Sequence, residues 1–556
     1  MSPSKQWAIY SLVLGLHAPT MAVAQTTNSG VLRQQIEQSH LPTPLRKIAP
    51  PKPDEAPAPT GVSVTVEAFR FTGHTLLTAE QLHAAGAPYL HRPLDIAGLR
   101  AAADAVEAAY RDAGRMAQAL VPPQEFVDGV ITIEIVEARF GGATLEQPAP
   151  ARVAQERLLA TVEAGQRRGA PLDATALDRA LLLADDLPGV TVAGTLRAGR
   201  EAGETELALQ VADEPLFSGS SVGLDNTGMR ATGAGRLTAN LQANSPLGLG
   251  DSLGASLLHT QGSDYARFAW SLPVGHDGWR LGANGSLLNY QIVAPELRAQ
   301  DSHGDSTSIG VEATYPLIRT RVHSLSLSLA GEKKTFANAS MGAMTTHYAI
   351  LNSLLTLSGS SVDDLGGGGA NSANLVFTQG TVALGALNAS EDAEREGTFS
   401  KVRYALTRLQ TITAEVSGYV AYSGQWADRT LDAAEMFYLG GATGVRAYPA
   451  AEGGGTHGQI VNLEVRTRLP RDFTLTKFYD WGQVQVNRNN SAGANPNKIA
   501  LQGAGVALGW QSPWGLDLKM VWARRIGHNP NPTDIGNDQD GSRHLDRFWF
   551  SAAMVF

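Results

Sequence analysis

Apolar and polar positions follow two different rhythms along this chain, and the change falls near Leu216. From there on they alternate with a period of two. Leu325, Leu327 and Leu329 stand between Ser324, Ser326 and Ser328, and Val402, Tyr404 and Leu406 among Lys401, Arg403 and Thr407. Val461, Leu463 and Val465 alternate with Asn462, Glu464 and Arg466, and Leu516, Leu518, Met520 and Trp522 with Asp517 and Lys519. Successive side chains of a strand point to opposite faces, so each segment has one apolar and one polar face. Strands are predicted near 216–227, 234–243, 250–261, 264–275, 279–290, 305–315, 323–334, 344–358, 370–388, 398–408, 411–424, 457–469, 472–486, 499–511, 515–527 and 546–556.

Alternation alone fits a soluble sandwich, apolar inside, as well as a membrane barrel, apolar outside. Number and spacing separate the two. The strands are sixteen, and short turns such as Leu469-Pro470-Arg471 alternate with long loops such as 425–456 and 528–544. That is the pattern of a bacterial outer-membrane barrel, and one of this size leaves a water-filled lumen. The final segment lines up Phe548, Phe550, Ala552, Met554 and Phe556 on one side. This suits a last barrel strand, whose terminal aromatic residues would serve assembly; a soluble edge strand is the alternative.

Before Leu216 helical spacing appears. Over residues 62–138, alternating Val62, Val64 and Val66 lead to Phe69 and Phe71. A helix follows with Ile96, Leu99, Ala103, Val106 and Tyr110 on one stripe. Asp95 is its N-cap, Gly114 ends it, and a strand carries Ile131, Ile133 and Ile135. Residues 139–213 repeat the plan. Asp173 caps a helix with Leu177, Ala180, Leu181 and Ala184 inward, and strands follow near 190–197 and 204–212. Two successive β-α-α-β-β units result.

The N-terminus has Lys5, a short apolar run from Trp7 to Leu16 and Ala22-Val23-Ala24, the pattern of an export signal over 1–24. Asn28–Gln38 reads as a short polar helix with Val31, Leu32 and Ile36 as its apolar stripe. Seven prolines between Pro42 and Pro59 then impose an extended linker. The chain has no cysteine, which excludes a disulfide framework and a thiolate metal site. A net charge of −9 gives no reason for nucleic-acid binding. No segment reaches 18 consecutive apolar residues, so no transmembrane helix is expected.

Two segments carry candidate chemistry. Gly440-Gly441-Ala442-Thr443-Gly444-Val445-Arg446-Ala447-Tyr448 lies in the longest inter-strand loop, and Phe478-Tyr479-Asp480-Trp481-Gly482 lies in a strand. Phe473, Leu475, Tyr479 and Trp481 share one face of that strand, so Asp480 takes the lumen face. Its carboxylate wants a cation, and Arg446 supplies one if the loop folds inward. The alternative leaves Arg446 solvated and pairs Asp480 with Arg466. In a wet pore the pair would contribute only about 1 kcal/mol, and its role would be to hold the loop in one of two positions.

These residues resemble the transporter subunit of two-partner secretion systems, the TpsB family, related to the barrel-assembly proteins. Val121-Pro122-Pro123-Gln124-Glu125-Phe126-Val127-Asp128-Gly129-Val130 is similar to the stretch closing the family's first POTRA domain, through Pro123, Gln124, Asp128 and Gly129. Asp225-Asn226-Thr227-Gly228, with Thr232, Gly233 and Arg236, resembles its opening barrel hairpin. Val445-Arg446-Ala447-Tyr448 resembles the tip of its inward-folded sixth loop, and Phe478-x-Asp480-x-Gly482 the strand motif that engages the arginine. Ala447 stands where the family has glycine, and would be strained if that position needs φ > 0. The resemblance implies a mainly β protein: a 16-stranded transmembrane antiparallel β-barrel (214–556) preceded by two α/β POTRA domains (62–138 and 139–213). It further implies a plug helix (25–40) and a linker (41–61).

The implied function is an outer-membrane pore that exports one large partner protein, an adhesin or cytolysin, captured by POTRA domains in the periplasm. Outer-membrane lipid would surround it, and the barrel-assembly machinery and periplasmic chaperones would serve its biogenesis. Alternatives are an outer-membrane assembly and insertion factor and a gated uptake porin. No enzyme or cofactor is expected. Gly219-Ser220-Ser221-Val222-Gly223 fits a nucleophile elbow only by pattern, since no helix follows. Gly366 to Gly369 reads as a flexible turn, the histidines have no metal-site spacing, and Asp534, Asp538 and Asp540 read as a solvated loop.

Overall fold

The computed structural model describes residues 27–38 and 64–556, apart from 127, 147, 202, 388–394 and 491–492. The expected export signal and the proline-rich linker lie outside the described residues. Helix α1 (Ser29–Gln38) comes first. The first α/β unit follows with β1 (Ala68–Thr72), α2 (Ala79–Gly86), α3 (Ile96–Asp112), β2 (Ala117–Leu120) and β3 (Val130–Glu137). β3 is central, parallel to β1 and antiparallel to β2. Asp95 caps α3 by accepting from Gly98 N at 2.8 Å. The helix lays Ala102, Ala103, Val106 and Tyr110 over Ile131, Ile133 and Ile135, and Gly114 ends it at φ 71°. Ile96 departs from the expected stripe. It is 58% exposed, because the capped first turn faces solvent and burial begins only at Ala102.

The second unit has β4 (Arg139–Leu145), α4 (Gln155–Gly165), α5 (Ala174–Asp185), β5 (Val190–Ala198) and β6 (Glu204–Asp213), with the same arrangement about a central β6. Asp173 caps α5 through Ala176 N at 2.9 Å. Leu177, Ala180, Leu183 and Ala184 are buried. Leu181, expected among them, is half-buried along β5 at Gly194. This unit abuts the barrel. Arg319 forms a two-point ion pair with Asp186, both contacts 2.7 Å, and Arg179 Nη2 donates to Pro316 O at 2.7 Å.

Sixteen antiparallel strands then close on themselves. They are β7 (Ser221–Asp225), β8 (Arg236–Asn244), β9 (Ser252–Thr260), β10 (Ser263–Val274), β11 (Trp279–Gln291), β12 (His303–Arg319), β13 (His323–Ser340) and β14 (Ala343–Asp363). β15 (Gly369–Leu384), β16 (Gly397–Thr411), β17 (Val416–Ala427), β18 (His457–Leu469), β19 (Phe473–Gln485), β20 (Lys498–Gln511), β21 (Leu516–Arg525) and β22 (Asp546–Val555) complete the ring. Each predicted segment holds one of them. The first is shorter than the expected 216–227, because Ser218 N and Ser220 N turn back onto the carbonyls of Pro215 and Phe217, with Gly219 at φ 84°.

The faces decide between sandwich and membrane barrel. Leu329, Leu351, Leu406, Leu463, Met520 and Phe548 are exposed on the outside, while Ser306, Lys334, Asn352, Asn462 and Asp480 are buried inside. An apolar exterior around a polar interior is the arrangement hydrocarbon demands. Among the described residues no helix is long and apolar enough to cross a membrane; the strands do the crossing.

In the first unit Glu137 gathers Thr75 N (2.6 Å), Leu76 N (2.7 Å), the Tyr110 hydroxyl (2.8 Å) and the Thr75 hydroxyl. Partial burial acts to raise its carboxyl, but the hydrogen bonds from Thr75, Leu76 and Tyr110 outweigh it and hold the group below the ordinary carboxylate range. A depressed folded pKa stabilises above the unfolded value of about 4.3, and the contribution is lost as pH falls through the folded value. Glu137→Gln should therefore destabilise this unit by about 1–3 kcal/mol at neutral pH and flatten its loss of stability in acid. Hydrogen exchange over residues 64–138 between pH 7 and pH 3 measures both effects.

Candidate functional site

The sixth loop of the long-loop rim, residues 428–456, folds into the cylinder. Its arms pair at Phe437↔Gly455 and Tyr438↔Gly454, and its tip turns tightly, with Val445 N donating to Leu439 O at 2.8 Å. Glycine is required here: a Cβ on Gly444 would lie 2.1 Å from Leu439 O, and one on Gly440 2.2 Å from Pro449 O. The tip packs Leu439, Val445, Ala447 and Tyr448 against Ile460, Phe478, Val484, Leu501 and Trp549. Gly482 leaves room for Leu439 and Val445, whose side chains would lie 2.9 and 3.2 Å from a Cβ there.

This packing delivers Arg446 to Asp480. Arg446 N and Nε donate to Asp480 Oδ2 at 3.0 and 2.9 Å, and Nη2 donates to Oδ1 at 2.7 Å. Nη1 donates to Glu464 Oε1 at 2.8 Å, and the guanidinium lies 3.5 Å over the Phe478 ring. Asn462 Nδ2 bridges Asp480 Oδ1 (2.8 Å) and Gly444 O (3.0 Å), and Trp549 Nε1 donates to Arg446 O at 2.8 Å. Arg466 pairs with Glu464 instead of Asp480. The wet environment expected for the pair is not found. Arg446 is 5% exposed and Asp480 0%, because the loop tip itself shuts water out. Breaking one side of such a buried pair costs about 3–5 kcal/mol, well above the surface value. Ala447 is buried and lies outside the left-handed region, so the anticipated strain is absent.

Helix α1 lies inside the barrel, against both its wall and this loop. Ser29 N donates to Asn338 Oδ1 at 3.0 Å, and Arg33 Nη2 donates to Ser286 Oγ (2.8 Å) and Ser308 Oγ (2.5 Å). Leu32 packs with Tyr265, Leu288 and Tyr290, and Val31 with Tyr438 and Ala451 of the loop. Gln34 Nε2 donates to Met436 O at 3.0 Å. Charges tie the two inserts together. Lys334 Nζ lies 3.7 Å from Glu37 of the helix and 3.3 Å from Glu435 of the loop, and Lys401 Nζ lies 2.5 Å from Glu435. With both inserts in place the lumen retains voids of about 660 and 620 Å3 that share Glu37, Asp225 and Arg236 in their linings.

The other sequence-selected residues lie elsewhere. Asp225 accepts from Thr227 N (2.8 Å) and from Arg236 Nε (2.8 Å) at the start of the ring. Gly228 N donates to Ala234 O at 2.9 Å, Thr232 is buried, and Gly233 turns at φ 108°. In the first α/β unit Gln124 pairs with both backbone groups of Thr132, at 2.7 and 2.9 Å, after Pro123; Asp128 and Gly129 turn at φ 54° and 71°. Phe548 and Phe556 are exposed outward and Phe550 half-buried, with Phe556 N donating to Ser220 O at 2.9 Å. Asp538, expected in a solvated loop, is 1% exposed, because Arg525 (2.6 Å) and Arg547 (3.1 Å) enclose it.

Sequence reasoning missed Asn462, Glu464 and Trp549 around the arginine, and Asn338, Ser286 and Ser308 under the helix. The first two were within reach. A hairpin folded about Arg471 sets Asn462 opposite Asp480 and Glu464 opposite Phe478, on the same face by parity. The contacts of Trp549 and of the helix join segments remote in sequence, and no local signal reports them.

A family model described as haemolysin secretion/activation protein ShlB/FhaC/HecB matches residues 203–511, and one for the ShlB-type POTRA domain matches residues 64–138. The heme/hemopexin transporter protein HuxB of Haemophilus influenzae strain 86-028NP is 25% identical over 489 residues, covering 84% of this chain and 82% of its own length. The outer membrane transporter CdiB of Escherichia coli is 24% identical, covering 82% and 79%. The hemolysin transporter protein ShlB of Serratia marcescens is 27% identical, covering 66% and 67%. Among solved structures, CdiB from Escherichia coli superposes with a TM-score of 0.69 at 20% identity, over 94% of this chain and 95% of the other. BamA from Haemophilus ducreyi lacking POTRA domains 1-3 shares the fold at a TM-score of 0.52 and 15% identity, over 89% and 100%. With more than half of its length matched by one family model, the chain belongs to the ShlB/FhaC/HecB (TpsB) family of outer-membrane transporters of two-partner secretion, with its POTRA region in the periplasm and its barrel in the outer membrane.

Proposed function

We propose that this pore rests closed, with α1 as a plug and loop 428–456 as a latch, and opens when a large exported partner protein engages the POTRA pair. The observation that carries this is the joint filling of the lumen: α1 seats directly on the loop, and the loop tip is pinned to the wall through Asp480. An exposed sheet edge in a POTRA unit captures the extended partner by strand addition. Withdrawal of α1 then removes Glu37 from beside Lys334 and Val31 from Tyr438 and Ala451, which loosens the loop's base. The partner passes as an extended chain and folds outside. The partner is an adhesin- or cytolysin-type exoprotein, and Phe556 closes the terminal strand during insertion by the barrel-assembly machinery.

Arg446→Ala and Asp480→Ala should each reduce secretion of the partner at least tenfold while the barrel still assembles. The double variant should be no worse than either single, since both remove one interaction; partner in the medium and heat-modifiable migration of the barrel give the two readings. Normal secretion by both single variants would sink the latch. Deleting residues 28–38 should raise ion conductance in planar bilayers, and unchanged conductance would remove the plug assignment. Loss of Phe556 should lower the amount of assembled barrel more than transport per assembled pore. Comparing the secreted proteins of wild-type and deletion strains identifies the partner.

A further inference from the structure

The short first strand leaves the cylinder one narrow join. β7 meets β22 only from Asp225↔Ser551 to Ser221↔Val555, whereas β22 meets β21 from Leu516↔Met554 to Arg524↔Asp546. Beyond Asp225 the chain turns away: Thr227 N folds back onto Asp225 Oδ1 at 2.8 Å, and Gly228 N donates to Ala234 O at 2.9 Å. β22 continues alone on that side, with its peptide groups still directed at the gap.

Asn226 fills the gap. Its backbone N donates to Phe550 O at 3.2 Å, the ordinary bond of an antiparallel pair. The returning bond from Phe550 N goes to the side-chain Oδ1 at 2.8 Å, in place of a backbone carbonyl. Nδ2 then donates to Phe548 O at 2.9 Å, the partner that the residue two places further along a continuing strand would serve. The amide orientation follows from its partners, because Phe550 N needs an acceptor and Phe548 O a donor. One planar group with both functions replaces a peptide unit.

We propose that Asn226 is a seam-closing residue: its carboxamide stands in for a missing peptide unit and lengthens the join between the first and last strands, so that the cylinder stays shut while a chain moves through it. A carboxylate has no donor for Phe548 O, a methyl has neither function, and a glutamine is one methylene too long. Each such change leaves at least one of the peptide groups of Phe548 and Phe550 without its partner in the ladder.

The test uses full-length protein in detergent micelles with no cargo present, so its outcome is independent of the plug and latch reading. Hydrogen exchange over residues 546–556 should be at least tenfold faster in Asn226→Ala and Asn226→Asp than in the unaltered protein, while peptides of β18–β20 are unchanged. A tether supplies the control. A Cβ on Gly223 would lie 3.4 Å from that of Ala553, close to disulfide reach. Gly223→Cys with Ala553→Cys in the Asn226→Asp background should slow exchange again when oxidised and release it when reduced. Should Asn226→Asp alone fail to insert, the tethered form is assembled oxidised and then reduced for the same comparison. Unaltered exchange over 546–556, a uniform rise across the barrel, or fast exchange that persists under a formed disulfide would each overturn the proposal.

Discussion

A peptide group that faces hydrocarbon has no water to bond, so every strand in a membrane must find hydrogen-bond partners along both edges. A sheet meets that demand only by closing into a ring, and sixteen strands make a ring wide enough to hold water. The other features of this chain answer consequences of that closure. The exterior becomes leucine and aromatic surface, while the polar side of each strand turns inward. The ring also acquires one join that is not made by a hairpin, between β7 and β22, and there a side-chain amide continues the ladder where the backbone departs.

A wide polar lumen conducts unless it is occupied, and this one holds two inserts that touch each other. The loop tip reaches the wall by burying an arginine against two carboxylates, Asp480 and Glu464. Buried ions are tolerable only when paired and hydrogen-bonded, and here all three guanidinium nitrogens of Arg446 donate to Asp480 or Glu464, with Asn462, Phe478 and Trp549 around them. Helix α1 is held differently, by serine hydroxyls, short apolar contacts and shared ions. Its apolar contacts are confined to Val31, Leu32 and Ile36. Lys334 joins the two, since it serves Glu37 of the helix and Glu435 of the loop.

The likeness in fold to CdiB extends over nearly the whole of both chains, and that to BamA, at a lower TM-score, over most of this one. Inside the ring the lumen is filled by polar contacts, such as the serine cradle for Arg33 and the Glu435 ion cluster.

Local chemistry determined much of this from the sequence by itself. Period-two alternation marked the barrel strands, parity put Asp480 inside, and Asp95 and Asp173 marked helix starts, because each of these depends on neighbours a few residues away. Ile96, Leu181 and the late start of β7 departed from expectation where a helix end, a strand edge or a turn overrode the local pattern. Only the tertiary structure decided that Arg446 and Asp480 are dry, that Trp549 closes over them and that Asp538 is enclosed by arginines. It also decided that a helix polar on most of its faces is buried on nearly all of them. Burial depends on what other segments bring, and in a closed ring those segments lie hundreds of residues apart. A polar side chain reads the same in sequence whether it faces water or another polar group.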